Sequence, residues 1–205
     1  MDYLADGFRL VDSQVDIAKF AACLAFMDGL PSFSMYESYV CEVAARSSGP
    51  SLDVGCGLGY DVLRVARRMP KYTAFGIDLS DRFVNSARAQ AESLDVANAK
   101  FQRMDAHHLE FPDGIFASSW IDRSLQHMAK PGRVASEMVR VTKKGGEIIL
   151  AEPDWGIFFV GDRSVYADGV SEYFGGKFKN PDVGRRVVTL LESSGAEIID
   201  LRGTH

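Results

Sequence analysis

From Ser51 onward, short apolar runs alternate with longer amphipathic stretches, and this alternation narrows the possible folds more than any other feature. "SLDVG", "YTAFGID", "AKFQRMD", "GIFASSWI", "GEIILAE" and "AEIIDLR" read as strands. "GYDVLRVARRM", "SDRFVNSARAQAESL", "PGRVASEMVRVT" and "PDVGRRVVTLLESSG" read as helices, with Ser80 placed to cap the second. Strands separated by helices of this length make a mostly parallel sheet covered on both faces. The expected fold class is therefore α/β, a Rossmann-like doubly wound sheet. Such sheets bind ligands at the carboxyl ends of their strands, near the switch point beside the first strand.

Two helices precede the sheet. One runs from Ser13 to Gly29 and stops at Gly29-Leu30-Pro31; the other runs from about Ser34 to Arg46 and stops at "SSGP". The organisation expected is one domain over 1–205. Within it, 1–48 form an N-terminal helical cap, 49–152 the ligand-binding core, 153–182 a cap segment and 183–205 the last helix and strand.

Composition removes several function classes. The chain has 205 residues, 46% hydrophobic and 25% charged, enough for one sizeable core, and no apolar run is long enough to span a bilayer. The net charge is −5 and the basic residues are scattered, so nucleic acid is not expected as a partner. The first residues, "MDYLADGFRL", carry acids where a secretory signal would carry Lys or Arg. Cys23, Cys41 and Cys56 are odd in number, without CxxC spacing, and read as reduced thiols. A cytoplasmic location is expected.

The loop after the first strand, "DVGCGLG", has glycines at 55, 57 and 59. Glycines let a strand turn sharply into a helix and let a ligand approach the backbone. A dinucleotide loop spaces them GxGxxG, but Tyr60 stands where the third glycine would fall. Asp53 lies two residues ahead, where it could pair an ammonium. Asp78 ends the second strand and suits ribose hydroxyls; Asp105 ends the third. Three carboxylates at neighbouring strand ends suit an ammonium, a ribose and an adenine amine, which together describe S-adenosylmethionine (SAM).

"LDVGCGLGYD", "GIDLS", "MDAHHLEFPDGIFASSW" and "MVRVTKKGGEIILAEPDW" occur in the order found in class I SAM-dependent methyltransferases. The chain resembles their small-molecule branch, which includes ubiquinone, menaquinone and natural-product methyltransferases. The resemblance covers Ser51 to Trp155 and implies the SAM methyltransferase fold and transfer of a methyl group to a small, fairly apolar acceptor, on oxygen or carbon more than nitrogen. It implies that Asp53 with Gly55, Cys56, Gly57 and Gly59 holds the methionine end, and Asp78 with Leu79 the ribose. Asp105 and Ala106 would take the adenine, Trp120 or Ile121 would line the pocket, and Tyr36 would lie over the cofactor. The product would be S-adenosylhomocysteine. The family sheet also has an antiparallel seventh strand between the fifth and sixth, and this chain stops short of it. Two other readings share parts of the pattern: a SAM-binding module without catalysis, and a nicotinamide-dependent oxidoreductase.

His127, in "DRSLQHM", follows the fourth strand and is the candidate general base. Asp122 and Arg123 could orient an acceptor, or pair with each other. Trp155 and Phe158 are the candidate acceptor contacts, in an aromatic, glycine-rich stretch suited to a cap over an apolar pocket. His107 and His108 are adjacent and would point apart, so no metal site is expected. The partner expected is a small-molecule acceptor, with the chain a monomer or a homodimer that completes the sheet in trans.

Overall fold

The computed structural model describes residues 31–155 and 178–202, together with Ala22, Ala25 and Phe26. Its strands are β1 (Ser51–Val54), β2 (Ala74–Asp78), β3 (Ala99–Arg103), β4 (Phe116–Asp122) and β5 (Thr142–Ala151). Its helices are α1 (Pro31–Ser47), α2 (Tyr60–Arg68), α3 (Asp81–Ser93), α4 (Pro131–Val141) and α5 (Val187–Ser193). The strands lie in the order β3-β2-β1-β4-β5, and every pairing is parallel. The order reverses between β1 and β4, so their carboxyl ends frame the switch-point crevice.

Period-two alternation divides the core into two layers. Leu52 and Val54 of β1 join Ile77, Ile121, Val134, Met138 and Leu190 beneath α4 and α5. On the opposite face Val40, Val62, Ala87, Phe101 and Trp120 pack beneath α1, α2 and α3. Asp53 points to that second face, opposite Gly76 of β2 and Trp120 of β4, and is 5% exposed.

Local chemistry fixes the helix ends. The Ser80 hydroxyl accepts the Phe83 N–H at 3.1 Å, capping α3 as its sequence indicates. The Asn98 amide donates to the carbonyls of Ala66 and Tyr72 at 2.8 Å and of Met69 at 3.2 Å. It thereby satisfies acceptors that the end of α2 leaves open. Glu137 of α4, 3% exposed, accepts the Leu109 N–H at 2.8 Å and the Arg140 guanidinium at 2.8 and 3.0 Å.

Three expectations are corrected or bounded. "AEIIDLR" is not a strand: described residues 196–202 carry no ladder, and Ile199 and Leu201 are about 70% exposed. A strand forms only where a neighbour completes its hydrogen bonds, and among the described residues β5 ends the sheet on this side. The expected last helix begins instead as a 3-10 turn, Val183–Arg186, before α5. Of the expected first helix, Ala22, Ala25 and Phe26 are helical; its other residues, Cys23 among them, lie outside the described residues, as does Phe158.

Candidate active site

The glycine loop leaves β1 and folds back over the end of β2. The N–H groups of Gly55 and Cys56 both donate to the Ile77 carbonyl, at 2.8 and 2.9 Å. This sharp reversal needs the left-handed region: φ is 77° at Gly55 and 81° at Gly59. Space is equally restrictive. A Cβ on Gly55 would come within 2.6 Å of Ser124 Oγ, and one on Gly59 within 2.5 Å of the Phe101 ring. Cys56 is half-buried with its Sγ facing Gly76, and burial pushes its thiol pKa well up, so it fills space as a thiol.

Asp78 holds the loop from the next strand. Its Oδ2 accepts the Gly57 N–H at 3.0 Å and its Oδ1 the Ser80 N–H at 2.9 Å. Each carboxylate oxygen has two lone pairs, so acceptor capacity remains for a ligand hydroxyl. At the end of β3, Asp105 Oδ1 accepts the His107 N–H at 2.9 Å and contacts His107 Nδ1 at 2.7 Å. Burial pushes against ionisation of Asp105, but the two His107 hydrogen bonds prevail and its pKa is lowered. His107 is thus engaged with Asp105, while its Nε2 receives the Lys130 N–H at 3.2 Å.

These elements enclose a cleft of about 710 Å³. Gly55, Asp78, Leu79, Asp105, Ala106 and His127 are among the residues that line it. Lys130 and Lys179 stand at the rim among the lining residues. Asp53, Trp120 and Tyr36 lie off the cleft wall, on the α1 side of the sheet. Asp53 and Trp120 are buried outright. Burial pushes the Asp53 carboxyl pKa well up, and Asp61, Asp122 and Asp78 add to the rise. The Tyr36 hydroxyl is buried without a hydrogen-bond partner beside Asp122, Asp61 and Asp53.

Asp122 pairs with Arg123, as one of the two sequence readings had it, and burial lifts its pKa to about 6. His127 lines the cleft on a 3-10 turn, Leu125–His127, its ring 5.3 Å from Phe178. Burial, aided by Lys179, lowers its pKa to about 3, so the imidazole is neutral through the physiological range. Trp155 stacks on Phe178 with centroids 4.8 Å apart and an interplanar angle of 4°. Glu152 was given no role by its sequence context, yet it accepts N–H groups of the turn that carries His127. No local pattern marks it, because its partners lie 26 to 28 residues away.

A model of the methyltransferase domain family matches residues 46–171 of this chain. The chain belongs to the class I SAM-dependent methyltransferase family. It is 33% identical over 126 residues to phosphatidylethanolamine N-methyltransferase of Cereibacter sphaeroides, covering 61% of this chain and 60% of that one. To 2-methyl-6-phytyl-1,4-hydroquinone methyltransferase of Synechocystis sp. (strain ATCC 27184 / PCC 6803 / Kazusa) it is 38% identical over 104 residues, covering 51% of this chain and 31% of that one. The chain therefore spans less than two thirds of the length of either relative. Among solved structures it resembles the [4+2]-cyclase SpnF with a TM-score of 0.65 and 29% identity, over 81% of this chain and 58% of that one. The family's cofactor is SAM, and the site fits it: a loop a Cβ would fill, and acids at the ends of three neighbouring strands, two of which line the cleft. Among the described residues no helix is long and apolar enough to cross a membrane.

Proposed function

We propose that the protein transfers a methyl group from SAM to a small, fairly apolar acceptor, on oxygen or carbon more than on nitrogen. The observation that carries this reading is that Gly55 of the glycine loop and His127 line one cleft, joined where the Ser124 hydroxyl donates to the Gly55 carbonyl at 3.3 Å. In this assignment Asp53 and the loop Gly55–Gly59 hold the methionine end, with Tyr36 and Trp120 closing the pocket around it. Asp78 and Leu79 hold the ribose, and Asp105 and Ala106 hold the adenine.

Bound SAM supplies a methyl group made electrophilic by its sulfonium. The chain's task is to exclude water and align the nucleophile. His127 is neutral and can accept a proton, but burial makes it a weak base. A weak base suits an acceptor that is itself acidic, such as a phenol, a hydroquinone or an enolic carbon. Trp155 and Phe178, backing the His127 turn, favour a planar, apolar acceptor. Asp122 is held by Arg123 and takes no direct part in proton transfer. The free thiols of Cys41 and Cys56 accord with work in a reducing, cytoplasmic setting. Formation of S-adenosylhomocysteine on adding a panel of phenols and hydroquinones tests the proposal; absence of turnover across the panel, with SAM bound, would contradict it.

A second reading is favoured by one observation. SpnF, at 29% identity, is a [4+2]-cyclase, so this architecture can serve a reaction without methyl transfer. A chain of that kind would bind SAM and alter an acceptor without forming S-adenosylhomocysteine.

A further inference from the structure

The turn that carries His127 is held from outside by a half-buried acid. Glu152 follows β5, and its Oε1 accepts the N–H of Ser124 at 2.8 Å and of Leu125 at 2.7 Å. Its Oε2 receives the Gln126 N–H at a longer 3.4 Å. We propose that Glu152 is a positioning residue: its side chain fixes the Ser124–His127 turn so that His127 faces the cleft and Ser124 meets the glycine loop. The proposal rests on the assignment of this cleft as the cofactor and acceptor site.

The support for Glu152 is itself rigid. The Trp155 N–H donates to the Pro181 carbonyl at 2.8 Å, and Arg185 grips Asp154 through two bonds of 2.7 and 2.8 Å. A Cβ on Gly184 would lie 2.7 Å from the Glu152 carbonyl oxygen, so the chain passes too closely for any larger residue. The same turn is held from its other side. Trp155 Nε1 donates to Gln126 Oε1 at 2.6 Å, and Asn180 Nδ2 donates to the carbonyls of Leu125 and Met128 at 3.1 and 2.7 Å. The stretches flanking residues 156–177 therefore converge on one five-residue turn, and Glu152 supplies the acceptors for its otherwise open N–H groups.

The pattern also distinguishes charge from geometry. The two short bonds share Oε1, so a neutral side chain of the same shape can keep both. Burial raises the Glu152 pKa to about 8, against the opposing pull of the backbone donors, and a glutamine reproduces the protonated acid.

The test is NMR on the full chain loaded with S-adenosylhomocysteine, reading the His127 imidazole against pH and the exchange of the Ser124 and Leu125 amides. In the wild type His127 stays neutral down to pH 5 and both amides are protected at least a hundredfold. Glu152→Ala, with circular dichroism unchanged, exposes the turn: protection is lost and His127 titrates near its ordinary value. Glu152→Gln restores both signals. Unprotected amides in the wild type would overturn the proposal even if Glu152→Ala failed to fold. So would a Glu152→Ala protein that melts earlier yet leaves the His127 titration unmoved. Failure of the wild type to bind S-adenosylhomocysteine would instead contradict the cofactor assignment.

Discussion

The Gly57 N–H donates to Asp78 Oδ2 at 3.0 Å, so the acid at the end of β2 shapes the glycine loop after β1 as well as facing the cleft. Asp78→Ala removes both this acceptor and the one for Ser80. We expect affinity for S-adenosylhomocysteine to fall at least tenfold, about 1.4 kcal/mol, by calorimetry, with a smaller loss for Asp78→Asn, which keeps one oxygen acceptor.

Gly59→Ala tests whether the loop's shape is required. The new Cβ meets the Phe101 ring and Ala87 at a φ of 81°, and about 2–4 kcal/mol of stability should be lost. Gly145→Ala is the control: φ is 74° there, but nothing lies within 4 Å, and a cost of only about 1–2 kcal/mol is expected in urea unfolding.

The Glu137 and Arg140 pair anchors α4 to the loop that follows β3. Arg140 reaches the carbonyls of Leu109 and Phe111 at 2.7 and 2.9 Å, while Glu137 receives the Leu109 N–H. Glu137→Ala leaves Arg140 partly uncompensated and the Leu109 N–H without its acceptor, and should cost about 3–5 kcal/mol in thermal or urea unfolding.

The alternation of strands and helices was legible because it is local, and β1 to β5 form where the apolar runs lie. The loop glycines were legible for the same reason, since their backbone angles are a property of the turn itself. "AEIIDLR" has a strand's composition, but pairing is a tertiary matter, and among the described residues no neighbouring strand accepts it. Glu152 and the stacking of Trp155 on Phe178 were illegible because they join segments more than twenty residues apart. Trp120 is buried in register opposite Asp53, a placement set by the β1–β4 pairing and not readable from its local sequence.

Glu152 also gives the fold a pH dependence of definite sign. Its folded pKa, about 8, lies above its ordinary value of 4.5. The folded state therefore holds a proton that the unfolded state has released. The stability associated with this group is complete below about pH 4.5 and declines as pH rises to about 8, by up to about 1.4 kcal/mol per unit. Asp122, raised to about 6, acts in the same direction over a lower range, whereas His127, lowered to about 3, removes stability as pH falls below 6.5. Urea unfolding of Glu152→Gln beside the wild type isolates the first effect: the variant should gain relative stability steadily from pH 5 to pH 8, and a difference independent of pH would contradict it.

The central claim is that the loop "DVGCGLG" with Asp78 and Asp105 forms a SAM site and not a dinucleotide site. Titration calorimetry of the unmodified chain with S-adenosylhomocysteine, and separately with NADH, addresses it directly. One molecule of S-adenosylhomocysteine should bind per chain, with no heat from NADH; saturable NADH binding without a response to S-adenosylhomocysteine would contradict a SAM site.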